Sequence, residues 1–128
     1  MKKILFTLFA SSTLLFLSCE KDVSEDATAT ITINKPTEGA TYSYGDTILI
    51  DARITSDNEL HGYELLMQRA SDDSTYYRQS EDIHTTTIVI EKTLINAIST
   101  HTNMRLVLRA GINHEGDYQE KSVNFVCH

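Results

Sequence analysis

A chain of 128 residues with a formal net charge of −7 has room for a single folded domain once a leader is removed. An acidic surface repels phosphate backbones, so no nucleic acid is expected as a partner. With two cysteines, one proline and no tryptophan, the core must be held by burial of aliphatic and a few aromatic side chains.

The opening residues, MKKILFTLFASSTLLFLSCEKD, have the layout of a secretion signal. Lys2 and Lys3 form a basic start, and Ile4 to Leu17 is a mostly apolar run of 14 residues. A transmembrane helix needs about 20 apolar residues, so the run fits the central region of a signal peptide instead. It stops at Ser18-Cys19, where the chain turns polar at once. One reading is an ordinary secreted protein cleaved near Ser18, with Cys19 an incidental thiol. Phe16-Leu17-Ser18-Cys19 also resembles the lipobox of bacterial lipoproteins, in which the cysteine is lipidated and becomes the first residue of the mature protein. That resemblance implies lipid attachment at Cys19 and anchorage in the bacterial outer membrane, on its surface-exposed or periplasmic face.

Glu20 to Asp26 is acidic, with one apolar residue, and by composition is a solvated tether. It is similar to the export tract that follows the lipid cysteine in many Bacteroidetes surface lipoproteins. The expected organisation is a signal over residues 1–18, a tether over 19–28 and a folded domain over 29–128. Residues 19–128 carry 9 basic and 18 acidic side chains. If Cys19 carries lipid, Cys127 has no partner and no internal disulfide forms.

The remaining sequence alternates apolar and polar residues with the period of two that a half-buried strand requires. Ile31 and Ile33 mark a first strand, closed by Lys35-Pro36, where proline suits a strand end. Ile48, Ile50, Ala52 and Ile54 form one face of a second strand. A polar loop, Ser56 to Glu59, leads to a third with Tyr63, Leu65 and Met67 inward. Thr75 to Gln79 is a short fourth strand, followed by a loop over Gln79 to Asp82. The β-branched run Ile83 to Glu91 is a fifth. In Lys92 to Thr102, Leu94, Ile95 and Ile98 suggest one helical turn. Met104 to Ile112 is a sixth strand, with Arg105 and Arg109 outward, and Tyr118 to Cys127 a seventh, with Val123, Phe125 and Cys127 inward.

Seven short strands with closely spaced turns predict an all-β fold, an immunoglobulin-like or fibronectin-III-like antiparallel sandwich. A different antiparallel barrel or jelly roll is the alternative. The stretch from Ile31 to Phe125 also resembles Ig-like lipoprotein domains of Bacteroidetes. The matching pieces are I-x-I-x-x-P-x-x-G, G-D-T-I-x-I-x-A, the L-H-G-Y strand, and L-R-A-G-I-N-H-E-G-D followed by S-V-N-F. The function of that group is mostly unassigned.

The sequence carries no G-x-S-x-G, H-E-x-x-H, phosphate-binding loop or C-x-x-C motif, and the expectation is a protein without catalytic activity or an obligate cofactor. An Ig-like strand order gathers the loops after the second, fourth and sixth strands at one end. Those loops carry or adjoin His61, His84 and His114, among Asp57, Glu59, Asp82, Glu115 and Asp117. Three imidazoles among carboxylates are suited to zinc, copper or nickel. At the other end, His101, Cys127 and His128 form a second, less regular group of soft-metal ligands. Tyr42, Tyr44, Tyr76, Tyr77 and Tyr118 offer either aromatic packing or a contact surface for a glycan or an envelope protein. Two readings follow. One is a lipid-anchored interaction module of the envelope, and the other a metal-binding lipoprotein built on the histidines.

Overall fold

A computed structural model describes residues 26–128; the signal region, Cys19 and the tether through residue 25 lie outside them. Six strands follow in order: β1 (Ala29–Lys35), β2 (Ala40–Tyr42), β3 (Thr47–Arg69), β4 (Thr75–Ile95), β5 (Thr102–Gly111) and β6 (Tyr118–Cys127). There is no helix among the described residues.

Two of the strands are long because each serves both layers. The first half of β3, through Thr55, pairs with β1 on one side and with the second half of β4 on the other. From Leu60 onward β3 pairs with the first half of β4, and from Tyr63 to Arg69 its partner on the other side is β5. β5 continues antiparallel to β6, and β2 adds parallel to the end of β6. Hydrogen bonding therefore runs β1-β3-β5-β6-β2, with β4 also on β3. The chain folds this ladder over at the middle of β3 and β4 to make a sandwich.

The expected second and third strands are thus one bent strand, as are the fourth and fifth. Ser56 to Glu59 and Gln79 to Asp82 are not loops that end a strand. The register slips between Thr55 and Leu60, and again between His61 and Tyr63. A polar run can sit in such a bulge without ending the strand, and strands commonly cross between sheets at bulges and bends.

The bulges also switch the parity of burial along β3. Ile48, Ile50, Ala52 and Ile54 are buried before the bend, and Tyr63, Leu65 and Met67 after it. These side chains meet Ile31, Ile88, Ile90, Met104, Leu106, Leu108, Val123 and Phe125 in one core. Leu66 and Val107, paired across β3 and β5, are buried on the opposite face. Packing reaches back to Ala27, which is buried and donates its N–H to the Ile112 carbonyl at 3.0 Å.

The helical turn expected in Lys92 to Thr102 does not form. β4 runs on to Ile95, whose side chain is exposed. Asn96 then closes the segment from a buried position. Its side-chain amide donates to the carbonyls of Tyr42 and Ser43, both at 3.0 Å, and its Oδ1 accepts the Ile98 N–H at 3.0 Å. One buried amide satisfies several backbone groups of an extended connection, and such groups must be paired when buried.

Candidate functional site

The bend of β3 and β4 and the β5–β6 loop meet at one end of the sandwich. Register sets His61 directly opposite His84. Gly62, with φ +105°, lets β3 swing past β4: a Cβ at this position would overlap the Glu81 carbonyl oxygen. Gly111 brings β5 against the backbone of His61, where a Cβ would lie 3.2 Å from the His61 carbonyl oxygen.

His114 is delivered by a loop organised around Asn113. Asn113 Oδ1 accepts the N–H groups of Glu115 and Asp117 at 3.0 and 3.1 Å, and its Nδ2 donates to Asp117 and Asp26 at 2.9 and 3.1 Å. The start of the described chain is held at this same end, where the Thr28 N–H also donates to Asp57 Oδ1 at 2.7 Å. That hydrogen bond is the main reason the Asp57 carboxyl is held below its ordinary range.

The result is a cluster of three imidazoles. Ring centres lie 3.9 Å apart for His61 and His114, 5.0 Å for His61 and His84, and 6.0 Å for His84 and His114. His61 is half-buried, while His84 and His114 are exposed. His84 faces a carboxylate on each side, Nδ1 at 3.2 Å from Glu59 and Nε2 at 3.4 Å from Asp82. The Nδ1 of His61 is buried without a hydrogen-bond partner. The rings come together, but among the described residues no three His, Cys, Asp or Glu donors are arranged as they stand to hold a metal ion.

Beside the cluster is an open cavity of ≈ 250 Å³, lined in part by His61, Tyr63, Glu64, Glu81, Arg109 and Asn113. Tyr63 donates its hydroxyl to Glu81 at 2.9 Å and accepts from Gln79 at 2.8 Å. Burial, with the Glu81 carboxylate second, pushes the Tyr63 hydroxyl up to about 12. Arg109 reaches Glu64 and Glu120, both at 2.9 Å, and lies 4.8 Å from the Tyr118 ring centre. Arg78 pairs with Glu64 as well. This charge ladder stitches β4, β3, β5 and β6 together on the outer face and was not anticipated as a unit. Its trace in the sequence is the outward parity of Arg109.

The second group does not assemble. Cys127 is fully buried in the core, and burial pushes its thiol up to about 11, away from the thiolate a metal needs. The inward parity of Val123 and Phe125 accounts for its position. Thr102 lies opposite Cys127, so His101 and His128 flank that pair on the outside, and His128 lies 3.5 Å from the Ser43 hydroxyl. The tyrosines divide. Tyr42 packs edge-on against Phe125 at 5.8 Å, and Tyr77 is partly buried against the core. Tyr44, Tyr76 and Tyr118 are exposed. Register places Tyr118 at the histidine end and Tyr76 at the other, so the exposed rings do not form one surface.

The architecture is an antiparallel β-sandwich of the immunoglobulin and fibronectin-III kind. Solved structures similar to it include the fibronectin(III)-like modules of Clostridium thermocellum CbhA, with a TM-score of 0.51 and 15% identity over 77% of this chain and 94% of that one. Another is a CARDB domain of a Pyrococcus furiosus protein in complex with di-metal ions, with a TM-score of 0.48 and 7% identity over 79% of this chain and 90% of that one. No family model matches the chain. No curated protein matches it in sequence.

Proposed function

We propose that this protein is a non-catalytic interaction module, tethered through a lipid on Cys19 to the bacterial outer membrane, that contacts another envelope component through a free sheet edge. The observation that carries the reading is the state of β4. Among the described residues it pairs with β3 alone along its 21 residues, so its other edge is open. Its outward side chains include Tyr76, Ile83, Val89 and Ile95, all exposed. An open edge with apolar, β-branched side chains is suited to accept an extended strand from a partner protein. At the far end, Tyr76, Tyr77, Leu94 and Ile95 border a depression of ≈ 190 Å³ that would take an apolar side chain of such a partner, or a sugar ring.

The tether gives this module an orientation. Six residues separate Cys19 from Asp26, and the seven Cα-to-Cα steps between them span no more than roughly 25 Å when extended. Asp26 is hydrogen-bonded to Asn113, so a lipid on Cys19 would keep the histidine end toward the membrane and the depression toward the outside.

Two measurements test the reading. Metabolic labelling with a tritiated fatty acid should mark the wild type and not Cys19→Ser, and the variant should leave the membrane fraction. A photo-crosslinker at position 89 should then trap one envelope component, and Ile83→Lys on the same strand should weaken that product. An unlabelled wild type would remove the anchor, and a diffuse or absent crosslink would remove the edge as the contact.

A further inference from the structure

We infer that His61, His84 and His114, together with Asp82, bind one transition-metal ion of the class that imidazole prefers: zinc, copper(II) or nickel. The inference does not depend on the lipid anchor or on the β4 edge. Three imidazoles held tetrahedrally around zinc, with bonds of about 2.0–2.1 Å, have their ring centres about 5 Å apart. The observed separations of 3.9, 5.0 and 6.0 Å bracket that spacing.

The surroundings of His84 point the same way. Its Nε2 lies 3.4 Å from Asp82 Oδ1. That is longer than the usual hydrogen bond of about 2.7–3.2 Å and close to the ligand-to-ligand edge of a zinc tetrahedron, about 3.3 Å. Its Nδ1 faces Glu59 at 3.2 Å. A carboxylate on the far nitrogen is the support that metal-binding histidines ordinarily carry, because it fixes the tautomer and the ring plane.

The Nδ1 of His61 supplies an independent sign. It is buried and has no hydrogen-bond partner, and buried polar atoms are rarely left so. A cation would give it one. Glu81, Glu115 and Asp117 add negative potential nearby, which concentrates cations. The donors do not yet close on one point, so binding turns the exposed His114 ring, while Glu59 and Asp82 hold His84 in place. The His114 side chain is on the surface, and its loop is anchored at Asn113 and Asp117 rather than at the histidine.

The test uses the full chain in detergent micelles, titrated with Zn²⁺ alone and with Cu²⁺ alone. Calorimetry should give one ion per chain, and the melting temperature should rise by about 10 °C at about 100 times Kd. His84→Ala and His114→Ala should each weaken binding at least about tenfold, and Asp82→Asn less than either. Electron paramagnetic resonance of the copper form should show coupling to imidazole nitrogen, lost stepwise in the variants. His114 is exposed, so His114→Ala melts like the wild type in chelator and remains informative even if His61→Ala does not fold. Absence of saturable uptake of either ion up to about 100 μM would overturn the inference. So would uptake of unchanged affinity in the His84→Ala, His114→Ala double variant, which would assign the ion to the acidic surface.

Discussion

Gly62 occupies a conformation, φ +105°, that side-chain-bearing residues avoid, and the Glu81 carbonyl fills the space a Cβ would need. Alanine there must shift β4 or reopen the bulge, and both strain the turn that sets His61 against His84. Gly62→Ala should therefore lower stability by about 2–4 kcal/mol, read from urea unfolding. Cys127 makes a different residue-scale prediction. Burial raises its thiol from an ordinary value of 9.0 to about 11. The neutral thiol is the form the fold prefers, so its contribution to stability is complete below pH 9 and is lost as pH rises from there toward about 11. At pH 8 the thiolate fraction is about a hundredfold lower than in the unfolded chain. Iodoacetamide should accordingly label Cys127 at least about a hundredfold more slowly in the native protein than in urea. Equal rates would place the thiol at the surface.

At the scale of the element, β3 tests the argument from alternation. Ile50 is fully buried and its neighbour Leu49 is 46% exposed. Ile50→Ala should cost about 2–5 kcal/mol, whereas Leu49→Ala should stay within about 0.5 kcal/mol. Similar losses at both positions would mean that the outer face of this layer is covered. This alternation is also why so much of the fold is legible in the sequence. Ile48 to Ile54, Met104 to Ala110 and Val123 to Cys127 each announce their inward face through period two alone. The bends were not legible, because Asp57, Asn58 and Glu59 are as suited to a loop as to a bulge. Only pairing with β4 and β1 decides that the strand continues. The expected turn at Leu94 to Ile98 failed because the helical spacing of three apolar residues carried less weight than the hydrogen bonds of Asn96. Leu66 and Val107 broke the alternation because each finds the other across the ladder on the outer face. For the histidines, strand order was enough to bring the rings to one end. The directions of their nitrogens depend on side-chain torsions that no spacing in the sequence encodes.

Across the whole molecule, the two long strands decide how the sandwich should come apart. In a sandwich whose layers share no strand, one sheet can loosen while the other holds. Here each layer contains half of β3 and half of β4, so neither layer can open without pulling two strands through the bends. The core is likewise a single cluster with members from both halves. The ladder of Arg78, Glu64, Arg109 and Glu120 ties four strands on the outside of one layer. A structure connected in this way should unfold in one cooperative step, as small domains usually do. With no tryptophan in the chain, tyrosine fluorescence reports tertiary packing and far-ultraviolet circular dichroism reports the sheets. Their urea midpoints should coincide in the wild type. Gly62→Ala, which strains the bend itself, should move both midpoints down together and leave the slope unchanged, because the surface exposed on unfolding is the same. Two separated midpoints in that variant would mean that the layers are joined at the bend only by chain connectivity, and the shared strands would not be what makes the sandwich one unit.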